Sequence, residues 1–211
     1  LLPFGKKSEF VLLGFLLVTG IFSMFISNTA TAAMMLTFMA PVLRQLPEDD
    51  KGRIGLVMAI PIGANIGGMA TPVGTPPNAI ALKYLNDPAG LGFNIGFGDW
   101  AMVMMPFTIL LLILAWLLLI KLFPFKDKEI HLNIEGNTVK GPRLVIAYIT
   151  LGLTILLWLL DKVTGINANT VAMIPIAIFC VTGLFGKEDL KEINWDVLWL
   201  VAGGFALGIA L

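Results

Sequence analysis

The chain alternates long apolar runs with short polar segments. The apolar runs occupy residues 10–26, 30–43, 54–69, 79–82, 100–123, 143–160, 169–185 and 195–211. Because a helix needs about 20 apolar residues to cross a bilayer, this pattern predicts an all-α polytopic membrane protein. Full spans are predicted at 99–123 and 143–161, and shorter spans at 169–185 and 195–211.

Two polar interruptions divide the first four apolar runs. The first pair is separated by "SNTAT", residues 27–31, and the second pair by "GGMATPVGTPPN", residues 67–78, which is rich in helix-breaking Gly and Pro. We therefore predict a re-entrant helical hairpin at 8–43 and a broken, unwound helix at 54–85. Two ordinary spans at 8–43 are the alternative. The hairpin is favoured because its arms are short and its turn is compact.

The distribution of basic residues predicts an orientation in the membrane. When each interrupted pair is treated as one unit, twelve of the fourteen Lys and Arg residues fall on one side, and Lys83 and Lys162 on the other. The positive-inside rule makes the richer side cytoplasmic, together with the linker 124–142. This linker is either a solvated connector or a segment that lies along the membrane surface.

The two ends of the chain carry their own predictions. The chain begins at Leu1 rather than Met and ends at Leu211 inside an apolar run, so we expect an internal piece of a longer protein. A signal-peptide interpretation of the first residues is disfavoured, because the first apolar run exceeds the usual length of about 7 to 15 residues.

Composition excludes several classes of function. Hydrophobic residues form 57% of the chain and charged residues 13%, with a mean hydropathy of +0.89, which is typical of polytopic membrane proteins. The zero net charge offers no basis for a nucleic-acid partner. The single cysteine, Cys180, excludes an intrachain disulfide, and the single histidine, His131, lies in the polar linker rather than in a span. We therefore predict that the protein is not an enzyme.

The interruptions contain residues that start helices. Ser27, Asn28 and Thr29 are common N-cap types, while Pro76 and Pro77 suit the first positions of a helix. A helix start offers free N–H groups and a partial positive charge, which favour a carboxylate or another oxyanion. Irregular backbone at membrane depth is tolerated only where it faces protein or a water-filled cavity. The two breaks thus predict an anion-binding cavity.

The other ends of the breaks supply neutral oxygens for a cation. Backbone carbonyls are joined there by the side chains of Ser23, Ser27 and Asn28, and neutral oxygens suit a monovalent cation better than a transition metal. Ser23 lies four residues before Ser27, so we expect both on one helical face. No Asp, Glu, Lys, Arg or His lies in the middle of a predicted span, which favours coupling to sodium over coupling to protons.

Two motifs, "SNTATAAMM" and "GGMATPVGTPPNAIAL", resemble the divalent anion/sodium symporter family of the ion transporter superfamily, and the likeness extends to "NWDVLWLVAGGFALGIAL". The resemblance implies an elevator-type transporter built from inverted repeats, with residues 1–123 as the transport region of the first repeat and 143–211 as the start of the second. It implies a substrate carboxylate at Asn28 and Thr29, and we extend this substrate site to Thr75 and Pro76. It also implies one sodium ion surrounded by Ser23, Ser27, Asn28 and Gly74.

The resemblance leads to a functional prediction with open alternatives. We expect a sodium-coupled symporter of C4-dicarboxylates (succinate, malate or fumarate) or citrate, which forms a homodimer and lies in the bacterial inner membrane. The alternatives are a carrier of sulfate or another inorganic anion, an ion channel, or a membrane scaffold. The prolines of "TPVGTPP" disfavour the channel, because they interrupt a continuous ring of carbonyls.

Other small and polar residues within the spans have structural interpretations. The glycine pairs Gly67–Gly68 and Gly203–Gly204 are expected to allow close helix packing. Isolated threonines are expected to form hydrogen bonds between helices, and these are Thr37, Thr108, Thr150, Thr154 and Thr182.

Overall fold

A computed structural model describes residues 7–130, 141–166 and 168–192, with six isolated positions beyond them. The chain divides into two compact units. The first contains Leu1–Leu91 and Asp99–Glu135, and the second contains Gly92–Gly98 and Gly136–Leu211. The predicted span at 195–211 lies outside the described residues except at these six positions.

Five helices build the first unit. Their bounds are α1 Ser8–Ser23, α2 Asn28–Leu43, α3 Gly52–Gly68, α4 Pro76–Asn86 and α5 Phe97–Leu122, the last of which belongs to this unit from Asp99 onward. The segment predicted as a hairpin is therefore a pair of 16-residue helices with a short turn between them. The segment predicted as a broken helix consists of α3, an irregular stretch and α4.

Helices α1 and α3 run parallel and touch through their backbones. A Cβ atom on Gly63 would lie 2.7 Å from the carbonyl oxygen of Leu16, and one on Gly67 would collide with the backbone of Gly20. Both contacts advance by four residues, which is one helical turn, so the two axes run in the same direction. The expectation of close helix packing is confirmed at Gly67.

The apolar core of the first unit forms where these helices meet. Its residues recur every three or four positions, which is the spacing of one helix face. They are Val11, Leu12, Phe15 and Leu16 in α1; Met35, Met39 and Val42 in α2, with Leu46 after it; Leu56, Ala59 and Ile60 in α3; and Leu112 and Leu119 in α5, with Ile130 after it.

The first part of the linker packs against the starts of α1 and α3. The backbone N–H of Ser8 donates to the carbonyl oxygen of Lys128 at 3.0 Å. The buried carboxylate of Asp50 accepts from the N–H of Gly52 at 2.7 Å and from that of Lys126 at 3.1 Å. Residues 124–130 thus hold the end of α5 beside the starts of two other helices, while residues 131–140 lie outside the described part of the chain.

An exposed ion pair joins Lys126 to Asp49 at the same end of the unit. The hydrogen bond and charge of the Lys126 ammonium lower the pKa of Asp49, and the Asp49 carboxylate in turn raises the pKa of Lys126. Because both groups are open to water, the pair contributes little to stability.

The second unit contains α6 Pro142–Leu159, α7 Asp161–Thr164, α8 Ala168–Val181 and α9 Asp189–Glu192. The Asp161 carboxylate accepts from the N–H of Phe97 at 2.7 Å, and the Phe97 ring stacks on Trp158 with centroids 5.1 Å apart. Helix α8 ends earlier than the span predicted at 169–185, before Gly183 in the left-handed conformation. Among the described residues, two helices, α5 and α6, are long and apolar enough to cross a membrane.

The isolated threonines differ from expectation. The hydroxyls of Thr37, Thr154 and Thr182 donate to carbonyl oxygens three or four residues earlier in their own helices, rather than to neighbouring helices. This local bond is available to any helical threonine and costs no approach of a second helix. The Thr108 hydroxyl is buried without a hydrogen-bond partner in the described part of the chain.

Candidate functional site

Both interruptions end one helix and begin another, as the sequence predicted. Helix α2 begins at Asn28, and the hydroxyl of its N-cap Ser27 accepts from the N–H of Ala30 at 3.3 Å. Helix α4 begins at Pro76, with Thr75 as its extended N-cap. The predicted helix starts at Ser27–Thr29 and at Pro76 are therefore confirmed.

Ser23 and Ser27 do not share a helical face, and the expectation that they would is wrong. Ser23 is the last residue of α1 and is fully buried, whereas Ser27 is exposed and caps α2. The four-residue spacing implies one face only within a continuous helix, and here the helix ends between the two residues.

A chain of hydrogen bonds links three polar side chains from three helices. The Ser23 hydroxyl donates to Oδ1 of Asn28 at 2.8 Å, and Nδ2 of Asn28 donates to Oδ1 of Asn65 in α3 at 2.9 Å. The carboxamide of Asn28 is therefore held at both ends, with its oxygen towards the end of α1. The two bonds together set the orientation of the Asn28 carboxamide.

A second set of bonds closes the irregular stretch after α3. Nδ2 of Asn78 donates to the carbonyl oxygens of Gly68 and Thr71, both at 2.8 Å. The Thr71 hydroxyl donates to the carbonyl oxygen of Met24 in the α1–α2 turn, and it accepts from the N–H of Gly74 at 3.1 Å. The two interruptions therefore contact each other directly.

Two glycines lie within this contact. A Cβ atom on Gly74 would lie 3.0 Å from the carbonyl oxygen of Ser23 and would collide with the carbonyl of Gly68. A Cβ atom on Gly68 would lie 2.6 Å from Oδ1 of Asn28. A side chain at position 74 would push the second interruption away from Ser23, because its obstacles are backbone atoms, whereas one at position 68 would displace the Asn28 carboxamide.

Helix α5 lines the same region. The indole N–H of Trp100 donates to the carbonyl oxygen of Met69 at 3.1 Å, and the Leu112 side chain faces Gly20. The second interruption thus lies near the start of α5, whose bounds are Phe97–Leu122, whereas Gly20, close to the end of α1, lies beside Leu112, past the middle of α5.

The structure brings together part of the predicted site. Ser23, Asn28 and Gly74, three of the four predicted sodium ligands, lie in one contact region, while the Ser27 hydroxyl is engaged as a helix cap. The predicted substrate residues border this region in sequence, with Thr29 exposed and Thr75 and Pro76 partly exposed. Their roles as ligands stay predictions.

Three residues of the network were given no role by sequence reasoning, namely Asn65, Thr71 and Asn78. Asn65 had a signal of its own, because it is the only polar side chain in the apolar run 54–69. Thr71 and Asn78 stand within the second motif, yet the motif does not indicate their partners.

The site is chemically neutral. Its side-chain groups are hydroxyls and carboxamides, and no cluster of three or more His, Cys, Asp or Glu occurs among the described residues. Such oxygens suit a monovalent cation. For an anion, the start of α2 offers the N–H groups of Asn28 and Thr29, for which no partner occurs in the described ranges. The start of α4 offers fewer donors, because Pro76 and Pro77 have no N–H.

Comparison with known proteins groups the chain with transporters. A family model described as "Citrate transporter" matches residues 1–211. The chain is 37% identical over 212 residues to an uncharacterized transporter of Schizosaccharomyces pombe, covering 97% of this chain and 23% of that protein. It is 33% identical over 213 residues to the low-affinity phosphate transporter PHO90 of Saccharomyces cerevisiae, covering 98% and 23%.

A bacterial relative carries a more specific name. The chain is 31% identical over 241 residues to the sodium-dependent dicarboxylate transporter SdcS of Staphylococcus aureus, covering 96% of this chain and 45% of that protein. The chain thus spans less than half the length of these relatives. The resemblance drawn from the two motifs is confirmed, since the whole chain matches one transporter family. The protein belongs to the citrate transporter family.

Proposed function

We propose that the intact protein is a sodium-coupled secondary transporter of small divalent anions, with C4-dicarboxylates or citrate as substrates. Family membership assigns the chain to transporters, and the sodium-dependent dicarboxylate transporter among its relatives favours this substrate class. The residues described here would form one half of the substrate site.

The observation that carries the proposal is the contact between the two interruptions. Ser23 at the end of α1 meets Gly74 in the second break and donates to Asn28, so hydroxyl, carboxamide and carbonyl oxygens from distant parts of the chain converge without a charged side chain. A dehydrated sodium ion needs several neutral oxygens held in place, since it has no other source of ligands at membrane depth. We assign sodium to this region.

The anion would bind at the start of α2. The N–H groups of Asn28 and Thr29 and the positive end of the helix dipole favour a carboxylate there. Asn28 would couple the two ligands, because Oδ1 points towards Ser23 while Nδ2 keeps a second hydrogen beyond the one donated to Asn65. Sodium bound at Oδ1 would reinforce this orientation of the carboxamide for the anion, and by reciprocity the anion would strengthen sodium binding.

Helix lengths support the re-entrant hairpin. Each arm has 16 residues and is therefore about 24 Å long, which is shorter than the hydrocarbon core of about 30 Å. The Leu112 contact with Gly20, one turn before α1 ends, lies fifteen residues inside the N-terminal end of α5 at Phe97. We propose that the turn stops within the bilayer and that the first unit belongs to the moving part of an elevator-type transporter.

Orientation, assembly and location complete the proposal. The cytoplasmic side is the one that carries the linker, and the intact protein is a homodimer. A bacterial inner membrane is our proposed location, although the relatives come from fungi as well as bacteria.

An inorganic anion is the second candidate substrate. The relative named as a phosphate transporter is 33% identical over almost the whole chain. A divalent phosphate or sulfate would use the same backbone N–H donors as a carboxylate, since these donors recognise oxyanion charge rather than carbon skeleton.

Uptake by the full-length protein in liposomes tests the function. Radiolabelled succinate, citrate, phosphate and sulfate would be compared under an inward sodium gradient, with uptake of at least one divalent anion expected to require sodium. Uptake driven equally well by a proton gradient without sodium would overturn the proposal. A panel in which only phosphate or sulfate enters would favour the second candidate.

Two serine substitutions locate the cation. Ser23→Ala removes a hydroxyl at the contact of the two breaks, so the sodium concentration for half-maximal uptake should rise. Ser8→Ala is the matched control, because Ser8 is equally buried but donates to the Asp127 carbonyl at the opposite end of α1. Ser27→Ala should also raise the sodium requirement if Ser27 is a ligand as predicted, whereas loss of a helix cap alone lowers only stability.

A further inference from the structure

The Thr71 side chain joins the two interruptions through a single hydroxyl. It is 1% exposed and lies in the irregular stretch between α3 and α4. Its hydroxyl donates to the carbonyl oxygen of Met24, 47 positions earlier in the chain, and accepts from the N–H of Gly74 at 3.1 Å. One group therefore contacts both sides of the candidate cation site.

Each partner of this hydroxyl adjoins a predicted sodium ligand. Met24 follows Ser23 directly and is the C-cap of α1, where carbonyl oxygens lack partners within the helix. Gly74 is itself a predicted ligand and packs so closely that a Cβ atom would lie 3.0 Å from the Ser23 carbonyl. The Thr71 bonds thus hold the end of α1 against the peptide of Gly74.

The Thr71 hydroxyl attaches the irregular stretch to the Met24 carbonyl outside it, whereas other hydrogen bonds of the stretch are local. Asn78 closes the stretch on itself, through the carbonyls of Gly68 and Thr71. The Gly74 N–H has a second acceptor in the Thr71 carbonyl, at 3.3 Å. Removing the Thr71 hydroxyl would therefore leave the stretch folded locally, but it would remove the hydrogen bond that attaches the stretch to the α1–α2 turn.

We infer that Thr71 is a positioning residue for sodium, which acts through Met24 and Gly74 by holding the two halves of the cation site at bonding distance before the ion arrives. The inference rests on the proposed sodium coupling. An unattached turn would have to be ordered by the ion itself, and that ordering would weaken sodium binding. Once sodium saturates the site, the ion bridges the two halves and the hydroxyl matters less.

Two substitutions at Thr71 distinguish the effect of the hydroxyl from the effect of the side-chain shape. Thr71→Val keeps the branched shape and removes the hydroxyl, whereas Thr71→Ser keeps the hydroxyl. In sodium titrations of anion uptake by the full-length protein, the valine variant should need about three- to tenfold more sodium for half-maximal uptake, and the serine variant should stay within about twofold of wild type. At saturating sodium, the anion KM of both variants should stay close to wild type.

Thr19→Val is the matched control. The Thr19 hydroxyl is also fully buried, but it donates to the Phe15 carbonyl within α1 at 2.6 Å and bridges no interruption. Its loss should leave the sodium requirement unchanged. If Thr71→Val does not reach the membrane, Thr71→Ala removes the same hydroxyl without adding bulk and should show the same rise.

The outcomes distinguish the inference from the proposed function. Wild-type uptake that does not depend on sodium would overturn both. Sodium-dependent wild-type uptake with an unchanged sodium requirement in the hydroxyl-free variants would overturn the role of Thr71 alone. An equal rise in Thr71→Val and Thr19→Val, or a rise in Thr71→Ser as large as in Thr71→Val, would also contradict it.

Discussion

The backbone contact between Gly67 and Gly20 sets how closely α3 approaches α1, and Gly67→Ala tests it. The new Cβ atom would lie 2.6 Å from the carbonyl carbon of Gly20, with the oxygen and Cα of Gly20 nearer still. Ordinary van der Waals contacts begin at 3.4 Å. The contact with this carbon alone therefore requires α3 and α1 to move apart by at least 0.8 Å, which is 3.4 minus 2.6. Backbone atoms cannot rotate away as a side chain can, so the helices themselves must move.

The expected change in the free energy of unfolding caused by Gly67→Ala is the difference between two opposing contributions. Overpacking of a close contact costs about 1–3 kcal/mol, and the upper half of this range applies because all three obstructing atoms are backbone. Alanine offsets about 1 kcal/mol through its higher helix propensity. We expect Gly67→Ala to destabilise the protein by about 1–2 kcal/mol, from these two terms.

Thermal unfolding of the full-length protein in detergent, followed by tryptophan fluorescence, measures this change. Gly152→Ala in α6 is the matched control, because in the described part of the chain no atom beyond its own stretch of helix lies within 4 Å of a Cβ at that position. Only the propensity term applies there, so the control should be neutral or more stable by up to about 1 kcal/mol. A Gly67→Ala variant as stable as the control would refute the close-contact argument.

Three further predictions concern the candidate site and the carboxylates of Asp49 and Asp50 just before α3. Dicarboxylate affinity at saturating sodium should fall in the order wild type, Asn28→Ala, Asn28→Asp, because Asp removes the amide donor and adds a negative charge. Calorimetry on the full-length protein measures this affinity. An unchanged affinity in Asn28→Asp would mean that Asn28 has only a structural role. A single cysteine at Thr29, in a cysteine-free background, should react with impermeant thiol reagents in a state-dependent way and more slowly with substrate and sodium; free reaction from outside in all conditions would indicate two ordinary spans. Asp50→Asn should lower the melting temperature, since the buried carboxylate accepts two backbone N–H groups, whereas Asp49→Asn should change it little. The small contribution of Asp49 should be present at neutral pH and vanish as pH falls through its lowered pKa, so Asp49→Asn and wild type should then melt together.

Local signals made several elements predictable. Ser27 was expected to cap a helix, and Pro76 to begin one, because these residue types satisfy or avoid the free N–H groups of a first turn. The helices α1 and α2 and the long apolar helix α5 followed from runs of apolar residues whose lengths match helices. Each of these features depends on residues within a few positions of one another.

The expectations that were wrong also concern local geometry. The four-residue spacing of Ser23 and Ser27 suggested one helical face, but α1 ends at Ser23. Thr37 and Thr154 were expected to bond across helices, yet a carbonyl of the same helix is always within reach. In the first case the helix ended between the two residues, and in the second the hydroxyl bonded to its own helix instead of a neighbouring one.

The sequence by itself determined where helices begin and break, that the spans are apolar, and which neutral polar residues lie at the breaks. Only the tertiary structure decided which of these groups meet. The Thr71 hydroxyl bonds to the Met24 carbonyl across 47 positions, and Asn65 receives the Asn28 amide across 37 positions. The physical reason is that such bonds depend on how closely α1 and α3 pack, and the glycine contacts that allow this packing act between helices rather than along the chain.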